Sequence, residues 1–245
     1  MRETARLLSL LGVLMILTSP LYAEGILVTD GALIKSTVGQ GWTAGVRLDL
    51  ARREFLSEGD ILDVDVLRRT AQFGVCLVAP IHVFVEAGWS KAELLQNEGE
   101  GGFTWAYGVD VAIWEHILEW SPVLGKTRTL GLSLTVARQS TESNLRDAEF
   151  SWEETRVTPT VRYTASTIQG NNLLPYRPAQ TSIFGGVSYS DLKGDLGDAE
   201  FEGNRDFGFV IGADLMFLDS WIVGISGTFF GDNDRTVGAG VRWNF

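Results

Sequence analysis

The chain has 245 residues, 31 acidic against 20 basic side chains, and a formal net charge of −11. That balance excludes a nucleic-acid partner, which requires a basic face. A single cysteine, Cys76, excludes an internal disulfide framework and any multi-cysteine metal site. Beyond the amino-terminal region no stretch approaches about 18 consecutive apolar residues, so no helix is expected to cross a membrane.

Residues 1–23 begin basic (Arg2, Arg6) and turn apolar over 7–17. They end in Thr18, Ser19 and Pro20, followed by Leu21, Tyr22 and Ala23. The apolar run is too short for a bilayer span of about 20 residues. The pattern predicts a secretory signal peptide cleaved after Ala23. No cysteine follows it closely, so a lipid anchor is not expected. Residues 24–245 are then one domain.

From there the chain alternates apolar and polar residues, the period-2 mark of strands with two unlike faces. The first strand is predicted over 42–52, with Trp42, Ala44, Val46, Leu48 and Leu50 on one face. Strands follow over 67–78, 81–93, 103–114 and 129–139. The span 150–164 is less regular, and Pro159 inside it predicts a bulge or a displaced boundary. Further strands are expected over 181–191, 205–217 and 220–230. The last, 236–245, alternates Val237, Ala239, Val241, Trp243 and Phe245 with Thr236, Gly238, Gly240, Arg242 and Asn244. The count is ten, or eight if two weak segments fail. Residues 26–38 hold room for a further short strand.

The apolar face either lines a soluble barrel or coats a membrane one. The opposite face is rich in glycine (Gly45, Gly74, Gly88, Gly108, Gly186, Gly212, Gly224, Gly238, Gly240), which suits a crowded lumen. Aromatics such as Trp42, Trp89, Trp105, Trp221 and Trp243 recur near strand ends, as interfacial girdles do. These features predict an all-β fold, a transmembrane antiparallel up-and-down β-barrel. A terminal strand closing on an aromatic residue resembles the bacterial outer-membrane β-barrels. In them that strand acts as the assembly signal, which implies this role for Val237, Ala239, Val241, Trp243 and Phe245. As a whole the chain resembles the small OmpA/OmpX-like or opacity-protein-like barrels. That resemblance implies a cell outer-membrane location, both termini in the periplasm, short periplasmic turns and long outer loops.

On this orientation the turns at Ala79-Pro80 and Leu218-Asp219 are periplasmic. The outer loops are 53–63, 94–102, 140–149, 192–204 and 231–235. They are rich in acid, including Glu54, Glu58, Asp60, Asp63, Glu98, Glu100, Asp195, Asp198, Glu200, Glu202, Asp232 and Asp234. Two periplasmic connections are long: 115–126, read as a short interfacial helix, and 166–179, read as an irregular loop.

The inward face supplies Arg47, Asp49, Arg68, His82, Glu86, Asp110, Glu154, Arg156, Arg162, Asp214 and Arg242. Ten of these, all but His82, form a balanced set that is expected to pair and plug the lumen, since unpaired buried charge is costly. A narrow ion or solute channel is the alternative. A third reading resembles the OmpW-like transporters of apolar solutes, with Phe84, Trp114, Phe184 and Met216 as inward candidates.

Catalytic chemistry is not expected. The omptin proteases, barrel deacylases and palmitoyl transferases need a histidine, and His82 and His116 both fall at the periplasmic end. His82 and Glu86 are about 13 Å apart along one strand. The segment 191–198 lacks a complete Ca²⁺-loop pattern, and no cofactor or metal is expected. Expected partners are outer-membrane lipid, lipopolysaccharide, the barrel-assembly machinery and periplasmic chaperones. Host or phage contacts through the outer loops complete the set.

Overall fold

The computed structural model describes residues 41–57, 60–78, 80–94, 97–121, 126–145, 148–167, 179–197, 199–217 and 221–244. The predicted signal peptide, the segment 26–38, the turn at 218–219, most of the connection 166–179 and Phe245 lie outside them.

The described chain is all β. Its strands are β1 (Trp42–Ser57), β2 (Asp60–Val78), β3 (Ile81–Leu94), β4 (Asn97–Glu98), β5 (Gly102–Ser121) and β6 (Lys126–Leu145). The second half contributes β7 (Ala148–Thr167), β8 (Gln180–Leu196), β9 (Ala199–Gly203), β10 (Phe207–Phe217), β11 (Trp221–Phe229) and β12 (Arg235–Asn244). Each barrel strand pairs antiparallel with the next, and β12 pairs with β1 from Thr43↔Asn244 to Arg52↔Arg235. The result is a closed ten-strand up-and-down barrel, with β4 and β9 as short additions. Closure leaves no edge along this wall, the condition for β structure within a bilayer.

The outer face carries the apolar set predicted from the alternation. Val46, Leu48 and Leu50 on β1 stay exposed, as do Trp89, Phe103, Ile183, Val187, Phe209, Ile211 and Ile225 around the wall. A continuous exposed apolar belt of this extent faces hydrocarbon rather than water. Aromatic stacks rim it. At the end near Asn244, here the lower end, Trp221 stacks on Trp243 at 6.0 Å. Toward the upper end Trp105 stacks on Tyr107 at 5.8 Å and Tyr189 tilts on Phe207 at 5.2 Å. Above the belt the outward residues become charged, as in the Arg52–Asp65 pair at 3.3 Å and the Arg138–Glu153 pair.

Four expectations change. Residues 115–121 are strand rather than helix: β5 runs to Ser121, which pairs with Lys126 of β6. The ladder supplies backbone partners that a short amphipathic helix would have to find alone. Pro159 causes no bulge, because the β6–β7 register runs unbroken through Leu134↔Pro159. On its other side Gly186 approaches so closely that an added Cβ would lie 2.0 Å from the Pro159 carbonyl oxygen. The register shifts fall instead at Cys76/Val78, Ala112/Trp114 and Ile117/Glu119. The shift at Ala112/Trp114 inverts the facing of the residues after it. Trp114, expected inside, is therefore exposed and stacks on His116 at 6.0 Å.

The fourth change is the largest. Much of the predicted outer loops is strand. β1, β2, β3, β6, β7 and β8 rise past the belt, while β10, β11 and β12 stop near it. The hairpin β8–β9 crosses the gap, and β9 pairs with β1 at Phe55↔Gly203 and Leu56↔Glu202. The wall thus closes a second time above the belt. Inside that upper ring lies a packed apolar core of Phe55, Val64, Val66, Ala92, Phe150, Trp152, Leu192 and Phe201.

Candidate functional site: the lumen and its apolar cap

The interior is layered because inward residues come two apart on each strand. On β7 the inward sequence from the top is Phe150, Trp152, Glu154, Arg156, Thr158, Thr160 and Arg162. The first two join the cap. Phe55 meets Phe201 at 4.4 Å between ring centroids and Trp152 at 5.4 Å, and Phe150 stands edge-on to Trp152 at 5.5 Å. Phe55 and Trp152 are each 1% exposed. Full burial of such a side chain stabilises by about 1.5–3 kcal/mol, so the cap is a stably packed layer.

Directly beneath lies a buried ion cluster. Arg53 Nη1 donates to Glu154 Oε1 at 2.6 Å, and its Nε lies 2.8 Å from Asp234 Oδ1. Glu154 also accepts from Arg156 Nη2 at 2.8 Å and from Ser190 Oγ at 2.6 Å. The Arg53 guanidinium covers the Phe230 ring at 4.6 Å. These groups stand above the belt. Burial works against the Glu154 carboxylate, but Arg156 and Arg53 together hold its pKa well below the usual range. Burial also opposes the Arg53 charge, and Glu154 and Asp234 outweigh it and raise its pKa. Asp234 has the weaker partners. Burial pushes its pKa up to about 6 against the pull of Arg53. Its sequence position predicts an exposed acidic loop, yet Asp234 is fully buried. The other rim acids described are mostly exposed, including Glu100, Asp195, Glu200, Glu202 and Asp232.

Lower down, the predicted residues fall into separate groups rather than one network. Arg47 Nε donates to both oxygens of Asp49, at 2.8 and 3.0 Å. Gln72 Nε2 donates to Glu86 at 3.1 Å. Arg162 Nη1 donates to Asp214 at 2.6 Å and its guanidinium lies over Phe184 at 4.6 Å. Arg162, Asp214 and Arg242 line a small lower hollow that is partly open to solvent, together with Gln180, Ser182, Met216 and Ile222. Met216 thus lines a polar space. Phe84 and Phe184 lie against Gly108 and Gly212, where an added Cβ would meet their rings at 2.5 and 2.2 Å. These aromatics occupy lumen space beside the two glycines. Arg68 stands apart, 3% exposed.

His82 does not meet Glu86. Its Nε2 lies 3.2 Å from Thr43 Oγ1 and its Nδ1 lies 3.4 Å from Asp110 Oδ2, and Asp110 accepts from Thr135 Oγ1 at 2.6 Å. The order hydroxyl, imidazole, carboxylate is that of an activated nucleophile. Thr43 and His82 are each 4% exposed. The chain of contacts ties β1, β3, β5 and β6 together within the lumen.

Arg53, Asp234 and the four cap aromatics are not among the site residues expected from the sequence. One sequence signal marks the cap. Below it, β2 turns Leu67, Ala71 and Phe73 outward. Above, Val64 and Val66 turn inward. The alternation changes phase where the outside medium changes from lipid to water.

No family model matches the chain, and no curated protein matches it. Solved structures do. The translocator domain of autotransporter NalP from Neisseria meningitidis is 10% identical over 85% of this chain and 90% of that one, with a TM-score of 0.38. An outer membrane channel from Pseudomonas putida F1 is 10% identical over 84% and 96%, with a TM-score of 0.36. The outer membrane protease OmpT from Escherichia coli is 9% identical over 84% and 97%, with a TM-score of 0.35. At these scores the likeness carries no argument about chemistry.

Proposed function

We propose that this chain is an integral barrel of a bacterial outer membrane, closed to bulk solutes, that works through its upper rim as a surface-interaction protein. The observation that carries the reading is the cap: Phe55, Phe150, Trp152 and Phe201 fill the upper lumen directly above the buried Arg53–Glu154–Asp234 cluster. A dry aromatic layer and paired charges offer no continuous water path. The lower hollow is a dead end on this reading. The paired residues Arg47, Asp49, Glu86, Asp110, Glu154, Arg156, Arg162 and Asp214 act as structural ties within the lumen, and Arg68 and Arg242 complete its charged set. The exposed belt and the even, closed strand count support membrane insertion. The terminal strand, Val237, Ala239, Val241, Trp243 and Phe245, serves the assembly machinery.

The exposed rim is acidic, with Glu93, Glu142, Glu149, Asp195, Glu200 and Glu202 among its exposed side chains. Such a rim favours cationic partners, or divalent cations that bridge it to anionic lipopolysaccharide. The test is conductance of refolded residues 24–245 in a planar bilayer, with folding judged by a heat-dependent gel shift. Folded protein that leaves the bilayer silent is the expected result. Reproducible, salt-dependent steps would overturn the closed-barrel reading in favour of a narrow channel.

A further inference from the structure

We propose that Arg68 anchors an internal site for a small monovalent anion of the halide class, in the lumen below the Arg53–Glu154 pair. Arg68 is 3% exposed, and its Nε and Nη1 have no hydrogen-bond partner among the described residues. Every acid within its field is committed elsewhere. Asp49, directly opposite in register, takes Arg47 through both oxygens. Glu154 takes Arg53, Arg156 and Ser190. Asp234 faces Arg53. Glu86 lies about four residues further down the wall and accepts from Gln72. Asp49 and Glu154 attract Arg68 without ion-pair contact among the described residues, while Arg156 and Arg47 repel it.

Two further unpartnered polar atoms lie in the adjacent layers of the same wall. Thr70 lies two residues along the same inward face, and its Oγ1 is buried without a partner. Thr236 on β12 faces the same interior one layer higher, and its Oγ1 is likewise buried and unpartnered. Guanidinium N–H groups and hydroxyls are all able to donate. A halide accepts from several donors without directional demand, needs little space and brings one compensating charge. An uncompensated buried guanidinium is otherwise strongly disfavoured. A cation would meet repulsion from Arg68 at the same place.

The test is the melting temperature of the refolded barrel, residues 24–245, in sodium bromide against sodium gluconate at equal ionic strength, followed by tryptophan fluorescence. With a site present, the melting temperature in bromide rises by an equal step for each tenfold increase above the dissociation constant. Gluconate, too large for the site, gives no such rise. Arg68→Met abolishes the bromide-specific rise, and Arg68→Lys keeps a reduced one. Arg205→Gln, in the connection before β10, leaves it intact. An equal response to both salts in the wild type, or a bromide response that survives in Arg68→Met, overturns the proposal. If Arg68→Met does not refold, bromide anomalous diffraction from wild-type crystals decides. A peak within hydrogen-bond distance of Arg68 sustains the site, and its absence overturns it.

Discussion

Arg53 on β1 holds Asp234, from the turn before β12, at 2.8 Å between Nε and Oδ1. The two residues come from opposite ends of the barrel sequence and meet only because β12 closes on β1. The pair ties a short strand to the tall wall at the base of the cap. It also contains a carboxyl, that of Asp234, whose pKa burial raises well above its ordinary value.

Asp234 has its pKa raised from an ordinary 3.8 to about 6. Between these values the folded barrel holds a proton that the unfolded chain does not. Stability at this site therefore falls as pH rises through the window, by about 3 kcal/mol at most. Glu154 acts oppositely, but below its ordinary value of 4.5. Only Asp234 of the two titrates between pH 5 and 7. The barrel is expected to melt higher at pH 5 than at pH 7, and Asp234→Asn should flatten that difference. A wild type that melts higher at pH 7 would contradict this account.

Glu154 binds two guanidinium groups and a hydroxyl in a buried site. Glu154→Gln leaves Arg53 and Arg156 undercompensated and should cost about 3–5 kcal/mol. Glu153→Gln, its exposed neighbour on the outer face paired with Arg138, should leave stability close to the wild type. Urea unfolding of both variants in detergent measures the contrast. Similar losses in the two would refute the distinction between buried and exposed pairs.

Phe55 sits in the middle of the cap. Phe55→Ala should cost about 3–5 kcal/mol and expose the upper ring to protease while the belt stays folded. Limited proteolysis should then cut first among residues 53–63 or 192–204. Resistance equal to the wild type would mean that the cap does not depend on this ring.

Gly186 packs against the Pro159 carbonyl, with backbone rather than a flexible side chain as the obstacle. Gly186→Ala should destabilise by about 1–3 kcal/mol through displacement of β7 from β8. Gly185 faces the opposite side and has more room, with its nearest obstacle 3.6 Å from an added Cβ. Gly185→Ala is therefore the control, and the difference between the two midpoints in urea is the quantity to read.

Strand type, strand number and the lipid-facing residues are legible in the sequence. Val46, Leu48 and Leu50 repeat every second residue, and that period is a local property of a strand with unlike media on its two sides. The girdle tryptophans are legible for the same reason. The inward placement of Arg47, Asp49 and Arg162 follows from the same parity, but their partners do not. Arg162 finds Asp214 across β8, and Arg53 finds Asp234, only through long-range pairing. The alternation misplaces Trp114 because a single register shift reverses parity, and a shift leaves no periodic trace in a short stretch.

The cap is written in the sequence but out of phase. Val64, Val66, Phe150 and Trp152 continue the alternation with its apolar member turned inward, since water replaces lipid outside the wall. Phe55, Leu192 and Phe201 complete it from segments 53–63 and 192–204, which read as loops pass for acidic surface. The sequence by itself determined a barrel with an apolar coat and a charged lumen, because both follow from the side-chain period and the medium each face meets. Only the tertiary structure decided that an aromatic core fills the upper ring and that Asp234 is buried. Both depend on β9 reaching β1 across the shortened β10–β12, a pairing between distant segments that no local pattern encodes.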